Sequence, residues 1–240
     1  MNELSVVIPY LSKTEALPTF LDELATYLME NPADVDVIIV ANEDTDLDQY
    51  SVKQLRSKYS WLKLTILKRK RYRGYGSLMR FGIAYSTSRY VVLLSAYGDD
   101  DVGMISRMLK EIRKGAQLVQ ATRLPNEADR RIVSLKFRIY QNIYRFLIRI
   151  LLCADIKDSS YSFKMFDRIF IQGLGLTQNG YSVSPEITLK TLLAEGKIVY
   201  ISSKMKVAPI NKNFKLYREG LGFVWLLVRG MFHRFGILWF

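Results

Sequence analysis

The chain has 240 residues, 49% hydrophobic and 12% aromatic, enough to bury a large core as one domain with appendages. Its net charge of +12 calls for an anionic partner: a nucleic acid, a phosphorylated metabolite or an acidic lipid surface. A single cysteine, Cys153, excludes an internal disulfide framework or thiolate metal cluster, and the single histidine, His233, lies in an aromatic-crowded stretch that argues against Ser-His-Asp or Cys-His hydrolysis, so any catalysis falls to carboxylates, lysines, arginines and a metal.

Residues 4–8 (Leu-Ser-Val-Val-Ile) read as a strand ending at Pro9. The chain enters it directly, so no secretory leader is expected. Leu17, Phe20, Leu21, Leu24 and Leu28 then recur at helical spacing, with Thr14 as a candidate N-cap. Residues 36–40 form a second apolar strand that exits into the acidic run 41–46, followed by a helix over 47–59 and a strand over 62–67. The loop 68–76 is strongly basic and contains Gly74 and Gly76. With Arg71 and Arg73 beside them, these glycines fit either a diphosphate contact or a tight basic turn.

A helix to residue 86 leads into the stretch on which the reading turns. Residues 90–94 are apolar and include two valines, as a strand buried on both faces requires, and they stop at Ser95, Ala96 and Tyr97 before three consecutive carboxylates, Asp99, Asp100 and Asp101. Adjacent acids repel unless a cation neutralises them, so this turn is either a site for a hard divalent ion or a source of negative charge for the helix over 102–113. A strand over 117–120 exits near Arg123, whose guanidinium can hold a phosphate or pair with an Asp. One more strand is expected over 196–202.

Apolar strands alternating with helices predict an α/β three-layer sandwich with a mostly parallel central sheet. Ligands in such sheets bind where the strands end, so Pro9, residues 42–46 and residues 95–101 should share one edge. Two amphipathic helices follow. Over 131–152, Arg131, Arg138, Arg145 and Arg149 share a face opposite Tyr140, Tyr144, Leu147 and Leu151. Near the C-terminus, Arg218, Arg229 and His233 oppose Val224, Leu227, Met231 and Leu238, with Trp225 and Trp239 added. Arginines break every apolar run, so these helices suit a lipid surface, or a core-facing stripe with a solvated arginine face, rather than a bilayer crossing. The division expected is a catalytic domain over 1–216 and a membrane-associating helix over 217–240.

The ordered pattern formed by residues 4–9, 36–46, 74–84, 90–101, Arg123, 158–163, Glu186 and 213–216 resembles the family-two glycosyltransferases of A-type fold, most of all the branch of polyprenyl-phosphate sugar transferases that includes dolichol-phosphate mannose synthase. The resemblance implies the nucleotide-diphospho-sugar transferase fold and an inverting transfer. It further implies a nucleotide pocket at Pro9, Val40, Asn42, Asp44, Gly74, Ser95, Ala96, Tyr97 and Arg123. Asp99, Asp158 and Glu186 would serve the chemistry, Asp99 and Asp101 a divalent Mg or Mn ion, and Lys212 or Lys215 the acceptor phosphate. The sequence departs from the family where Asp-Ala-Asp is usual, having Ser95-Ala96-Tyr97, and where Asn-Glu is usual after the first proline, having Ser12-Lys13.

The function expected is transfer of a sugar from a nucleotide-sugar to a lipid-linked acceptor such as polyprenyl phosphate, by a cytoplasmic protein peripheral on the inner face of the membrane. Such an acceptor oxygen is already ionised, so no strong base is needed. A sugar hydroxyl as acceptor would instead make Asp158 or Glu186 the base. A degenerate, non-catalytic nucleotide-binding subunit is the third reading. No nucleic-acid partner is expected, since the basic residues follow apolar stripes and a strand-exit loop instead of one broad patch.

Overall fold

The computed structural model describes residues 2–11, 16–31, 34–43, 45, 49–71, 73–123, 135–203, 216–237 and 240. Seven strands, β1 (Leu4–Tyr10), β2 (Val35–Asn42), β3 (Lys63–Arg69), β4 (Tyr90–Leu93), β5 (Leu118–Thr122), β6 (Lys164–Asp167) and β7 (Ile198–Ser202), form one sheet in the order β3-β2-β1-β4-β6-β5-β7. β6 runs antiparallel to both neighbours and every other pairing is parallel.

Alternation along the strands explains the layers. Leu4, Val6 and Ile8 of β1 enter one core cluster with Phe20, Leu21 and Leu24 of α1 (Ala16–Glu30) and Ile105 and Met108 of α4 (Met104–Arg113). Val7 faces the other way, into a cluster with Leu78 and Met79 of α3 (Tyr75–Tyr85) and Val183 and Ile187 of α7 (Val183–Leu193). A sheet apolar on both faces must be covered on both, which gives the sandwich. Helix α3 lies against the sheet at Gly82, where an added Cβ would stand 2.4 Å from Val7 Cγ1. The helices α2 (Gln49–Lys58) and α6 (Arg168–Gly173) complete the layers.

The structure adds a strand that sequence reading misses. β6 is four residues long and opens on Lys164, so residues 157–164 look like a polar turn. It is inserted between β4 and β5, where the sheet supplies partners that a four-residue run cannot advertise. A third cluster joins α5 (Leu135–Leu152), α7 and α8 (Leu216–Arg234) through Tyr144, Ile148, Leu152, Leu189, Phe223, Leu226 and Leu227. Glu219 of α8 accepts the Tyr181 N–H at 3.0 Å, fastening this helix to the loop before α7.

Candidate active site

The parallel strands β1, β2, β4 and β5 end on one edge, so Tyr10, Asn42, Ser95 and Arg123 leave the sheet together. The nucleotide-pocket residues differ in what they present there. Val40 is fully buried in the cluster beneath α3, and Pro9, its partner across the ladder, is also buried. Asn42 is 7% exposed, and its carbonyl accepts the Thr45 N–H at 3.1 Å, turning the chain at the β2 exit. Asp44, Lys212 and Lys215 lie outside the described residues, as does Lys13.

The glycine pair before α3 serves close approach. An added Cβ on Gly76 would meet Gln178 O at 2.4 Å and Gly180 O at 2.7 Å, and one on Gly74, at φ +115°, would meet Asn179 O at 2.5 Å. The Gly76 N–H donates to Asn179 O at 2.8 Å. A backbone carbonyl therefore receives an N–H at this helix N-terminus, and the glycines allow the close approach that a tight turn requires.

The three carboxylates after β4 go to three environments. Asp100 folds back under the turn and is fully buried, accepting the Ser95 N–H at 2.6 Å and the Tyr161 hydroxyl at 2.7 Å. Burial, reinforced by the charge of Asp99, pushes the Asp100 carboxyl up to about 8, against the opposing pull of those two bonds. Asp101 Oδ1 accepts the Gly103 N–H at 3.1 Å, an Asx turn that leads into α4. Asp99 is half-buried, and its Oδ1 is buried with no hydrogen-bond partner among the described residues. The turn also needs Gly98, whose φ of +74° favours glycine. Ser95 Oγ accepts the Tyr97 N–H at 3.2 Å, and Ala96 is core. Ser95 and Ala96 thus hold the turn's shape.

Arg123 makes the Asp pairing that is one of its two expected roles. It binds Asp158 with Nε and Nη2, both at 2.9 Å, and its own N–H reaches the same carboxylate at 3.1 Å; both side chains are 7% exposed. Burial alone would raise the Asp158 carboxyl, but the Arg123 guanidinium outweighs it and holds it below its ordinary value. The guanidinium also lies 4.8 Å from the Tyr161 ring centroid and donates to Ser160 Oγ at 2.7 Å. Gln141 of α5 donates to that same hydroxyl. One network therefore ties the β4 exit, the β5 exit, the loop 156–161 and helix α5.

Glu186 is fully buried in the first turn of α7, where it accepts the Thr177 N–H and hydroxyl at 2.8 Å and the Gln178 N–H at 2.9 Å, with Lys190 at 3.3 Å. It organises the loop that covers α3. Two residues of this region escape sequence reading. Tyr161 falls within the stretch 158–163 of the resemblance but carries no role there, and Lys164 reads as part of a polar turn. The Lys164 ammonium is fully buried and binds Ser159 O at 2.8 Å, Ser184 Oγ and Thr188 Oγ1 at 2.9 Å, and Ser184 O. Burial pushes it well below the ordinary lysine range, although Asp158 opposes that.

Among the described residues no three His, Cys, Asp or Glu side chains gather as a metal cluster. The unpartnered Asp99 Oδ1 is still a fit for a hard divalent ion of the kind that takes one carboxylate and completes its shell with substrate phosphates and water. Asp101 has committed one oxygen to the Gly103 N–H.

Comparison with known proteins accords with this geometry. The family described as glycosyl transferase family 2 matches residues 5–175. Dolichyl-phosphate beta-glucosyltransferase of Dictyostelium discoideum is 22% identical over 216 residues, covering 85% of this chain and 63% of the relative. The Homo sapiens protein of the same name is 27% identical over 181 residues, covering 70% and 55%. The chain thus spans between half and two thirds of the length of these relatives. Glucosyl-3-phosphoglycerate synthase from Mycobacterium tuberculosis, solved with Mn2+, uridine diphosphate and phosphoglyceric acid, superposes with a TM-score of 0.68 at 16% identity, covering 99% of this chain and 80% of that one. A mannosyltransferase from Pyrobaculum calidifontis, in complex with GDP-Man and Mn2+, gives 0.65 at 15% identity, covering 97% and 64%. These likenesses establish the shared fold, and the match over well more than half of the sequence makes the chain a member of glycosyl transferase family 2.

Proposed function

We propose that the chain transfers a sugar from a nucleotide-sugar to a lipid-linked acceptor, a polyprenyl phosphate, with inversion, working peripherally on the inner, cytoplasmic face of a membrane. The observation that carries the choice of acceptor is the state of the two carboxylates that a hydroxyl acceptor would need as base. Asp158 is held by Arg123 and Glu186 by two backbone amides and Lys190, so both are committed. An acceptor phosphate brings its own negative oxygen and needs neither. The names of the dolichyl-phosphate relatives support the same reading.

In the reaction the phosphate oxygen attacks the anomeric carbon, the carbon–oxygen bond to the diphosphate breaks, and its electron pair leaves with the nucleoside diphosphate. A divalent Mg or Mn ion, held by Asp99 Oδ1, would supply positive charge to that leaving group. Pro9, Asn42, Asp44, Tyr97 and the exit of β5 would line the nucleotide. Lys212 or Lys215 would receive the acceptor phosphate. The Arg123–Asp158 pair, the Tyr161–Asp100 bond and the Asx turn at Asp101 hold the turn that carries Asp99.

The test incubates the protein with membranes and labelled nucleotide-sugars. The expected product is a lipid-extractable, acid-labile sugar phosphodiester. An acid-stable glycosidic product would establish the glycan-extending alternative, and tight nucleotide binding with no turnover would establish a non-catalytic subunit.

A further inference from the structure

Among the described residues, fourteen large apolar side chains are exposed, and ten of them lie between residues 135 and 150 or between 221 and 237. On α5 these are Leu135, Ile139, Ile143, Phe146 and Ile150, each half exposed or more, and their spacing of three and four draws a single stripe along the helix. The stripe is not the face expected from sequence. Tyr144 and Leu147, set there against the arginines, turn inward, and the Tyr144 ring packs edge-on to Phe223 of α8 at 5.4 Å. Helix α5 is therefore apolar on two sides, one covered and one open. Helix α8 repeats the arrangement: Phe223, Leu226 and Leu227 are buried, while Leu221, Val224 and Trp225 point out.

Charge identifies the occupant. The sequence of α5 contains no Asp or Glu and supplies Lys136, Arg138, Arg145 and Arg149 beside the stripe. The one acid of α8, Glu219, is drawn inward onto the Tyr181 N–H. Two copies meeting through such faces would press arginine against arginine, whereas an anionic bilayer takes the apolar stripe into its acyl boundary and the cations among its headgroups.

We propose that the outward faces of α5 and α8 form a monotopic docking surface for an anionic lipid bilayer. This deepens the proposed function by naming how a lipid-linked acceptor reaches the site. Gln141, on the buried side of α5, donates to Ser160 Oγ, which also receives Arg123, so the helix lying on the lipid is bonded to the loop that holds the β5 exit. Docking then fixes the cleft at headgroup height, where an acceptor phosphate resides.

The experiment uses the full chain and sedimentation with vesicles of phosphatidylcholine alone or with one third phosphatidylglycerol, without nucleotide or acceptor. Binding is expected with the anionic vesicles, weakened by high salt, with a blue shift in Trp225 emission that Trp225→Phe removes. Ile143→Glu with Phe146→Glu should lower the partition coefficient by at least about tenfold at an unchanged Tm, since both side chains are exposed. Met29→Glu, on α1, should bind as the unaltered chain does. Equal binding by the double variant, or absence of binding by the unaltered chain, overturns the proposal. So does a dimer that the double variant splits without any vesicle association. Sugar transfer to polyprenyl phosphate in detergent separates the two readings. Transfer without vesicle binding removes the docking surface alone, and vesicle binding without transfer removes the acceptor alone.

Discussion

Replacing Asp158 by Asn tests whether the buried ion pair is the keystone of the strand-exit network. The variant keeps the shape of the side chain but leaves the Arg123 guanidinium, 7% exposed, without its counter-charge. Removing one partner of a buried pair costs about 3–5 kcal/mol, because the remaining charge stays desolvated. For a chain of this length, each kcal/mol moves Tm by roughly 2–4 °C, so the loss is about 6–20 °C. Thermal melts by circular dichroism, with urea titration for the free energy, measure it. The double variant Arg123→Met with Asp158→Leu should recover most of the loss, since neither charge is then buried. The Arg123 guanidinium holds the carboxyl below its ordinary value, so its stabilisation is complete above that ordinary value and is lost as the pH falls through the folded-state value. The Asn variant should therefore lose its deficit relative to the unaltered chain only in strong acid. A deficit under about 1 kcal/mol at pH 7, or a double variant no more stable than the single ones, would refute the reasoning.

Three further outcomes follow from the same geometry. Asp100→Asn resembles the neutral acid, its amide replacing the oxygen that faces Tyr161; because the folded carboxyl is raised to about 8, the native chain loses stability as the pH climbs from the unfolded value toward 8. The Tm advantage of the variant in metal-free buffer should thus grow between pH 5 and pH 8, and an advantage that shrinks would contradict the assignment. Asp99→Asn should reduce metal-stimulated sugar transfer by about tenfold or more with little change in Tm, because Oδ1 has no hydrogen-bond partner among the described residues; titrating Mn2+ against turnover checks this. Gly76→Ala should cost about 1–3 kcal/mol in urea unfolding, since its Cβ would stand 2.4 Å from Gln178 O.

The succession of six strands along the chain, the edge on which they end and the acidic turn after β4 are readable from periodicity and composition. A buried parallel strand must be apolar along its length, and a turn must follow it. The sequence by itself also shows two basic amphipathic helices and the departure at Ser95 and Tyr97. It leaves open which side of each helix meets the core, because a helix with two apolar faces fits either orientation until its neighbours are placed.

Only the tertiary structure decides the rest. Tyr161 reaches Asp100 across 61 residues, and Asp158 reaches Arg123 across 35. β6 exists because β4 and β5 leave a gap that four residues can fill. Lys164 is buried because α7 and the loop before β6 bring it oxygen atoms from Ser159, Ser184 and Thr188. Local periodicity is set by the chain's own geometry and is written in each segment. The choice of which buried charge meets which partner depends on distances through space, and those exist only after the strands have been ordered.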